Sequence, residues 1–150
     1  MDSNLEIRQI KPEEWEAALQ LVQDVFMKFE APEYDEEGVR HFQTFIHDEE
    51  QTKQLEMYGA FTGGAVIGVL AMRKQGTHVS LFFVDDAYHR QGIGRALFEY
   101  MLRTKKREVI TVNAAPYALK IYERLGFVAT DTEKTEDGVR YTPMKYVDNK

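Results

Sequence analysis

The sequence predicts an α/β (α+β) fold in one domain covering residues 1–150, and three observations predict it. Three apolar runs, Met57 to Thr62, Ala65 to Arg73 and Thr77 to Val84, follow one another across short turn signals, which is the pattern of an antiparallel meander. The third run passes through a polar loop into Gly92-Ile93-Gly94, where Ile93, Leu97, Met101 and Leu102 begin a helical repeat. A further buried strand, Glu108 to Val112, leads to a short helix and a closing hairpin. Helices do not separate the meander strands, which sets this order apart from a nucleotide-binding unit of alternating strands and helices.

Taken in order, Leu5 to Ile10 alternates loosely and reads as a first strand. Pro12 fits the first turn of a helix, followed by Glu13 and Glu14 where the helix dipole favours acids. Trp15, Leu19, Val22 and Phe26 recur at helical spacing, carrying the helix to Lys28 or Phe29, and Ala31-Pro32 ends it. Asp35 caps a second helix bearing Val39, Phe42, Phe45 and Ile46 on one face. Glu49 to Lys53 reads as a solvated connection. Gly63-Gly64 and Gln75-Gly76 supply the meander turns. Gly92 to about Thr104 is the next helix. Pro116 opens the last one and Gly126 caps its C-terminus. Phe127 then begins a strand that a Glu136-Asp137-Gly138 turn pairs with Val139 to Val147.

The chain of 150 residues is long enough to bury roughly two thirds of its unfolded surface. It contains no cysteine, so disulfides, thiolate metal sites and cysteine nucleophiles are excluded, and no metal site is expected. Met1 to Asn4 do not read as a signal peptide, and no run has membrane-spanning length, so a cytoplasmic protein without a membrane partner is expected. A net charge of −6 argues against a nucleic-acid surface. The basic cluster Arg103 to Arg107 falls at a helix end, where it complements the dipole and solvates the turn.

Val84 to Leu97 carries the first chemical signal. A strand, a glycine-bearing loop and a helix start leave backbone N–H groups unpaired and favour negative charge. Glycine admits a phosphate to the backbone without a Cβ in the way. Arg90 and Arg95 flank the turn. Taken alone, the loop fits a phosphate cradle or merely a tight connection. It is not a Walker A loop, since no Gly-Lys-Ser or Gly-Lys-Thr closes it. Nor is it a dinucleotide fingerprint, since Leu97 stands where a third small residue belongs.

The second signal is the stretch from Val112 through Asn113, Pro116 and Tyr122 to Leu125-Gly126-Phe127. Asn113, at a strand end, can both donate and accept, and the Tyr122 hydroxyl can give or take a proton. Together with the glycine loop, these residues resemble the GCN5-related N-acetyltransferase (GNAT) superfamily over nearly the whole chain, most sharply from Leu81 to Phe127. The family's acyl-coenzyme A loop reads Arg/Gln-x-x-Gly-x-Gly/Ala; here it is His89-Arg90-Gln91-Gly92-Ile93-Gly94, with His89 departing at the first position.

The resemblance implies a GNAT fold: a mixed, mostly antiparallel sheet of six to seven strands, splayed into a V, with about four helices and acetyl-CoA in the split. It implies transfer of an acetyl group to an amine of a small molecule or peptide, the alternative being a non-catalytic acyl-CoA sensor of the same fold. His89, Arg90, Gln91, Gly92, Ile93, Gly94 and Arg95 would hold the pyrophosphate. The backbone of Phe82, Phe83 and Val84, on a bulged strand, would pair with the pantetheine arm. Asn113 would hydrogen-bond that arm or an ordered water. Tyr122 matches the usual general acid and also lies along the cofactor. A backbone N–H near Val84 would polarise the thioester carbonyl. For the base, His78 is a candidate because it is in phase with Ser80, Phe82 and Val84 and titrates near neutrality; Glu49, Asp85 and a water chain are alternatives. Phe26, Phe29 and Tyr34 are candidates for an acceptor pocket, although core packing explains the same aromatics. Dimers are frequent in the superfamily, so a homodimer is an open expectation, with Tyr141 to Val147 as a candidate edge.

Overall fold

The computed structural model describes residues 4–73 and 75–147. Met1 to Ser3, part of the segment read as lacking a leader, lie outside the described residues. The strands are β1 (Glu6–Gln9), β2 (Glu56–Thr62), β3 (Ala65–Arg73), β4 (His78–Val84), β5 (Val109–Ala114), β6 (Val128–Ala129), β7 (Lys134–Glu136) and β8 (Val139–Val147). The helices are α1 (Trp15–Phe29), α2 (Glu36–Ile46), α3 (Glu49–Thr52), α4 (Ile93–Thr104) and α5 (Leu119–Leu125).

The sheet runs in the order β1-β2-β3-β4-β5-β8-β6, with β7 also on β8. Every pairing is antiparallel except β4 with β5. This is the mixed, mostly antiparallel sheet expected, with eight strands rather than six to seven. The extra strand arises because the segment after Phe127 pairs with β8 twice, at Val128–Ala129 and again at Lys134–Glu136. The fifth helix is α3, in the segment expected to be a plain connection. Asp48 caps it by accepting from the backbone N–H groups of Glu50 and Gln51, so one turn of helix forms there. Elsewhere the local signals hold. Gly63 and Gly64, at φ 57° and 83°, make the left-handed two-residue turn between β2 and β3. Asp35 caps α2 through the N–H of Gly38 at 3.1 Å.

The decisive feature is the partnership of β4 and β5. These parallel strands are paired only at His78 with Thr111 and at Val79 with Val112. Beyond that point they diverge, and the sheet opens into a split. The closed end is held by the Thr111 N–H donating to the Thr77 carbonyl at 2.9 Å, and by Thr111 Oγ1 lying 2.7 Å from His78 Nδ1.

Two cores sandwich the sheet. On one face Val22 and Phe26 of α1 and Ile46 of α2 cover Val69, Ala71, Leu81 and Phe83. On the other, Ile93, Leu97, Phe98 and Met101 of α4 pack with Tyr122, Phe127, Leu70, Ile110 and Val112. Gly68 lets α4 sit close on β3, since a Cβ there would lie 3.1 Å from Leu97 Cδ1 and 3.3 Å from Ile93 Cγ2. No helix among the described residues is long and apolar enough to cross a membrane.

The basic cluster after α4 divides in two. Arg103, Lys105 and Lys106 are exposed, as expected. Arg107 instead turns inward, its side chain 1% exposed. Its guanidinium donates to the carbonyls of Met101 and Lys105 at the end of α4, to Thr104, to Glu56 and to the Tyr58 hydroxyl. It therefore closes the C-terminus of α4 onto β2, satisfying carbonyls that the helix leaves open. Arg107→Ala removes those donors and leaves buried acceptors without partners. We expect a loss of about 2–3 kcal/mol in urea unfolding; a change under about 0.5 kcal/mol would contradict this role.

Candidate active-site cleft

The split between β4 and β5 opens into a cleft of about 660 Å³. Its walls come from the end of α1, from β4 and the loop after it, from the start of α4, and from the segment Tyr117 to Leu125. Because β5 has diverged, the β4 edge at Phe82 to Val84 faces this space while its other edge pairs with β3. A strand with one open edge is a template for an extended partner.

At one end, the loop after β4 leads into α4. Arg90 and Gly92 are both left-handed, at φ 65° and 79°, a backbone that turns N–H groups outward. Gly92 offers no side-chain cap, so the first N–H groups of α4, at Ile93, Gly94 and Arg95, lack protein partners among the described residues and lie at the cleft wall. Arg90, Arg95, Lys120 and Arg124 add cationic side chains to that wall. Arg95 also fastens α4 to α5 by donating to the Arg124 carbonyl at 2.8 Å. Open amides, a helix N-terminus and guanidinium groups form a donor set suited to a pyrophosphate.

The end of α1 also meets the cleft, beside α5. Tyr122, 6% exposed, stands edge-on to Phe82 at 5.9 Å and to Phe127 at 5.3 Å between ring centres. Burial pushes its hydroxyl well above the ordinary tyrosine range, and the charge of Glu30 pushes it further. Tyr122 is thus a proton donor throughout the neutral range. Glu30, the residue that ends α1, is the one carboxylate among the described residues lining the cleft. Burial raises its carboxyl to about 7, the Glu33 charge adds to that, and the Tyr34 hydroxyl acts in the opposite sense. A ring of contacts closes this end. Phe29 stacks on Tyr117 at 5.0 Å and lies 5.3 Å from the His89 ring, while Glu33 accepts from the Tyr117 N–H at 2.9 Å.

Most of the residues expected at the cofactor come together here: Phe82, Phe83, Val84, His89, Arg90, Gly92, Ile93, Gly94, Arg95 and Tyr122 all line the cleft. Two do not. The Gln91 side chain turns back to the Ala87 carbonyl, and Asn113 is exposed on β5, on the side opposite the buried Val112 and Ala114. His89 lines the cleft, but its Nε2 lies 2.7 Å from the Val84 carbonyl, so the ring braces the loop.

The expected phase of His78 is corrected. A register shift between β3 and β4 inserts one residue at Ser80. Val79 therefore shares a core with Phe82 and Val84, and His78 falls on the opposite face from them. It is 6% exposed, sits at the closed end of the split and is not at the cleft wall. Asp85 caps the turn after β4 through the Ala87 N–H, and Glu49 lies on exposed α3. Of the acceptor-pocket residues, Phe29 reaches the cleft. Phe26 is fully buried, stacked 3.8 Å from Phe42, and belongs to the core. Tyr34 is half-buried behind Glu30, edge-on to Phe26. Glu30 went unremarked in the sequence, where a single acid at a helix end carries no distinguishing pattern.

The chain matches the family described as Acetyltransferase (GNAT) domain over residues 30–147. Among solved structures it resembles the GCN5-related N-acetyltransferase (Aminotransferase, Class-II) of Rhodopseudomonas palustris, with 18% identity, a TM-score of 0.81 and coverage of 98% of each chain. It also resembles the PaiA N-acetyltransferase of Thermoplasma acidophilum in complex with coenzyme A, with 17% identity, a TM-score of 0.72 and coverage of 99% of this chain and 100% of that one. A GNAT-family acetyltransferase of Staphylococcus aureus Mu50 gives 13% identity, a TM-score of 0.72 and coverage of 95% and 98%. At these identities the likeness is one of fold. No curated protein sequence matches the chain.

The environment of Glu30 has a consequence for stability. Its folded-state carboxyl is raised above the unfolded value of 4.5, so its contribution is fully present below pH 4.5 and is lost as pH rises through about 7. Glu30→Gln removes that loss. We expect the variant to match wild type near pH 4 and to exceed it by up to about 3 kcal/mol at pH 8 in urea unfolding. A difference independent of pH would show that the carboxyl is solvated.

Proposed function

Because the chain belongs to the GNAT acetyltransferase family, we propose that it moves an acetyl group from acetyl-CoA directly to an amine of a small molecule or peptide. The observation that carries this reading is the coincidence, in one cleft, of an open strand edge at Phe82 to Val84, unpaired amides at the start of α4, and the buried Tyr122 hydroxyl.

The donor set fits the cofactor. The N–H groups of Ile93, Gly94 and Arg95, with Arg90, are placed to hold the pyrophosphate, and the free edge of β4 to pair with the amide-bearing pantetheine arm. Bound there, acetyl-CoA supplies the thioester whose acyl carbon the amine attacks. The chain's own part is to orient and to manage protons. A backbone N–H on the open β4 edge polarises the carbonyl. Tyr122, held protonated by its surroundings, gives its proton to the departing sulfur. The apolar walls around it, Phe82 and Leu125 among them, keep water from competing with the amine.

A thiol-release assay with acetyl-CoA across a panel of primary amines tests the reading, and at least one amine should be turned over. Tight coenzyme A binding without any turnover would identify a sensor instead. Tyr122→Phe should lower kcat by about 10²-fold while leaving the coenzyme A affinity within twofold; an unchanged kcat removes Tyr122 as the acid. Gly94→Val tests the cradle. A Cβ at Gly94 meets Phe82 no closer than 3.6 Å, an ordinary contact, and the γ-methyls of valine add bulk at the cleft wall. Coenzyme A affinity should fall by about tenfold or more, equivalent to about 1.4 kcal/mol. Retained affinity would place the pyrophosphate elsewhere.

A further inference from the structure

Charges of both signs line the cleft. Arg90, Arg95, Lys120 and Arg124 gather along the α4 and α5 walls, and the single carboxylate among the described lining residues, Glu30, stands at the end of α1. The cationic wall suits the anionic cofactor, leaving Glu30 as the lone anionic group available to an acceptor. The aromatic rings of Phe29, Tyr117 and Tyr122 line the cleft with it, a setting that suits an ammonium group on its way to the reacting centre. From this geometry we propose that Glu30 binds the acceptor as a primary ammonium ion and takes its proton, serving as the general base of the transfer. The role rests on the acetyl-transfer reading above.

The ammonium gives one proton to the Glu30 carboxylate, and the freed nitrogen lone pair forms the bond to the acyl carbon. The carbon–sulfur bond breaks, and the sulfur receives the Tyr122 proton. The Tyr122 oxygen recovers a proton from the newly acylated nitrogen, and Glu30 releases its proton to solvent. The net change is one amide, one thiol and one proton for each ammonium and thioester consumed.

The surroundings of Glu30 suit the task. Glu33 and Tyr34 face it from its own segment, and Tyr117 and Tyr122 from the segment leading into and through α5. The Lys28–Asp86 pair, at 2.6 Å, bridges α1 to the loop after β4, and the His89 ring lies against Phe29. No cation in this group pairs with Glu30 among the described residues; the Tyr34 hydroxyl alone acts to lower its carboxyl, against burial and the Glu33 charge. A base that titrates near neutrality is half loaded at working pH, where proton transfer is most effective.

The test combines a readout without turnover and one with it. Carboxyl carbon NMR of the free protein should show one glutamate titrating near neutrality, and that signal should vanish in Glu30→Gln. With whichever amine the panel identifies, the wild-type kcat/KM should fall on the acidic side through the same titration. Glu30→Gln should lose that limb and run about 10²-fold slower at pH 7, with coenzyme A affinity unchanged as proof of an intact fold. A Glu30 carboxyl that titrates in the ordinary range, or a Glu30→Gln variant that keeps both rate and limb, overturns the role alone. Failure of the wild-type protein to release thiol with any amine of the panel overturns the acetyl-transfer reading and this role with it.

Discussion

The architecture depends on how little β4 and β5 share. Two residue pairs join them, at His78–Thr111 and Val79–Val112, and everything beyond is open. Had the pairing continued, the inner edge of Phe82 to Val84 would have been satisfied by β5 and no cleft would exist. The closed end must therefore be firm, and Thr77, His78 and Thr111 make it so with a backbone bond and a side-chain contact. His78 thus has a ready structural explanation as the staple at the vertex of the V. The two helical layers then keep the arms apart: α1 and α2 rest on one face, while α4 and α5 rest on the other and wall the opening.

Much of this was legible in the residues. Gly63-Gly64 and Asp137-Gly138 fix their turns because only left-handed backbone closes so short a connection, and Asp35 and Gly126 mark helix ends by equally local chemistry. The glycine loop announced its N–H groups through its position between strand and helix. What escaped was what depends on distant partners. The bulge at Ser80 has no sequence mark, so a period of two carried His78 to the wrong face. Arg107 reads as one more surface cation until Glu56 and Tyr58 are seen beside it. Phe26 and Phe29 look alike in the chain, three residues apart on one helix; packing sends the first into the core and the second to the cleft.

Glu30 belongs to the same class. Its position beside Pro32 says only that a helix is ending. Its significance comes from tertiary placement, as the one carboxylate among the described residues lining a cleft whose other charged groups are cations. The fold thereby separates two demands. Fixed donors on α4 and β4 suit an anionic, extended ligand, while α1 and the turn after it present a carboxylate and rings suited to a cationic one. The hinge holding that second surface is tied down by Glu33 to the backbone of Tyr117 and by the Gly138 carbonyl accepting from the Asp35 N–H. That surface is therefore pre-shaped by contacts with the turn before β8 and with the segment preceding α5, and does not hang free.

In the proposed reading, the open edge of β4 and the start of α4 form one slot for coenzyme A. Residue-resolved amide hydrogen exchange, with and without coenzyme A, addresses it most directly. Slowed exchange is expected at Phe82 or Phe83 on the β4 edge and at Ile93, Gly94 and Arg95. Slowing confined to other segments, with these amides exchanging as in the free protein, would contradict it.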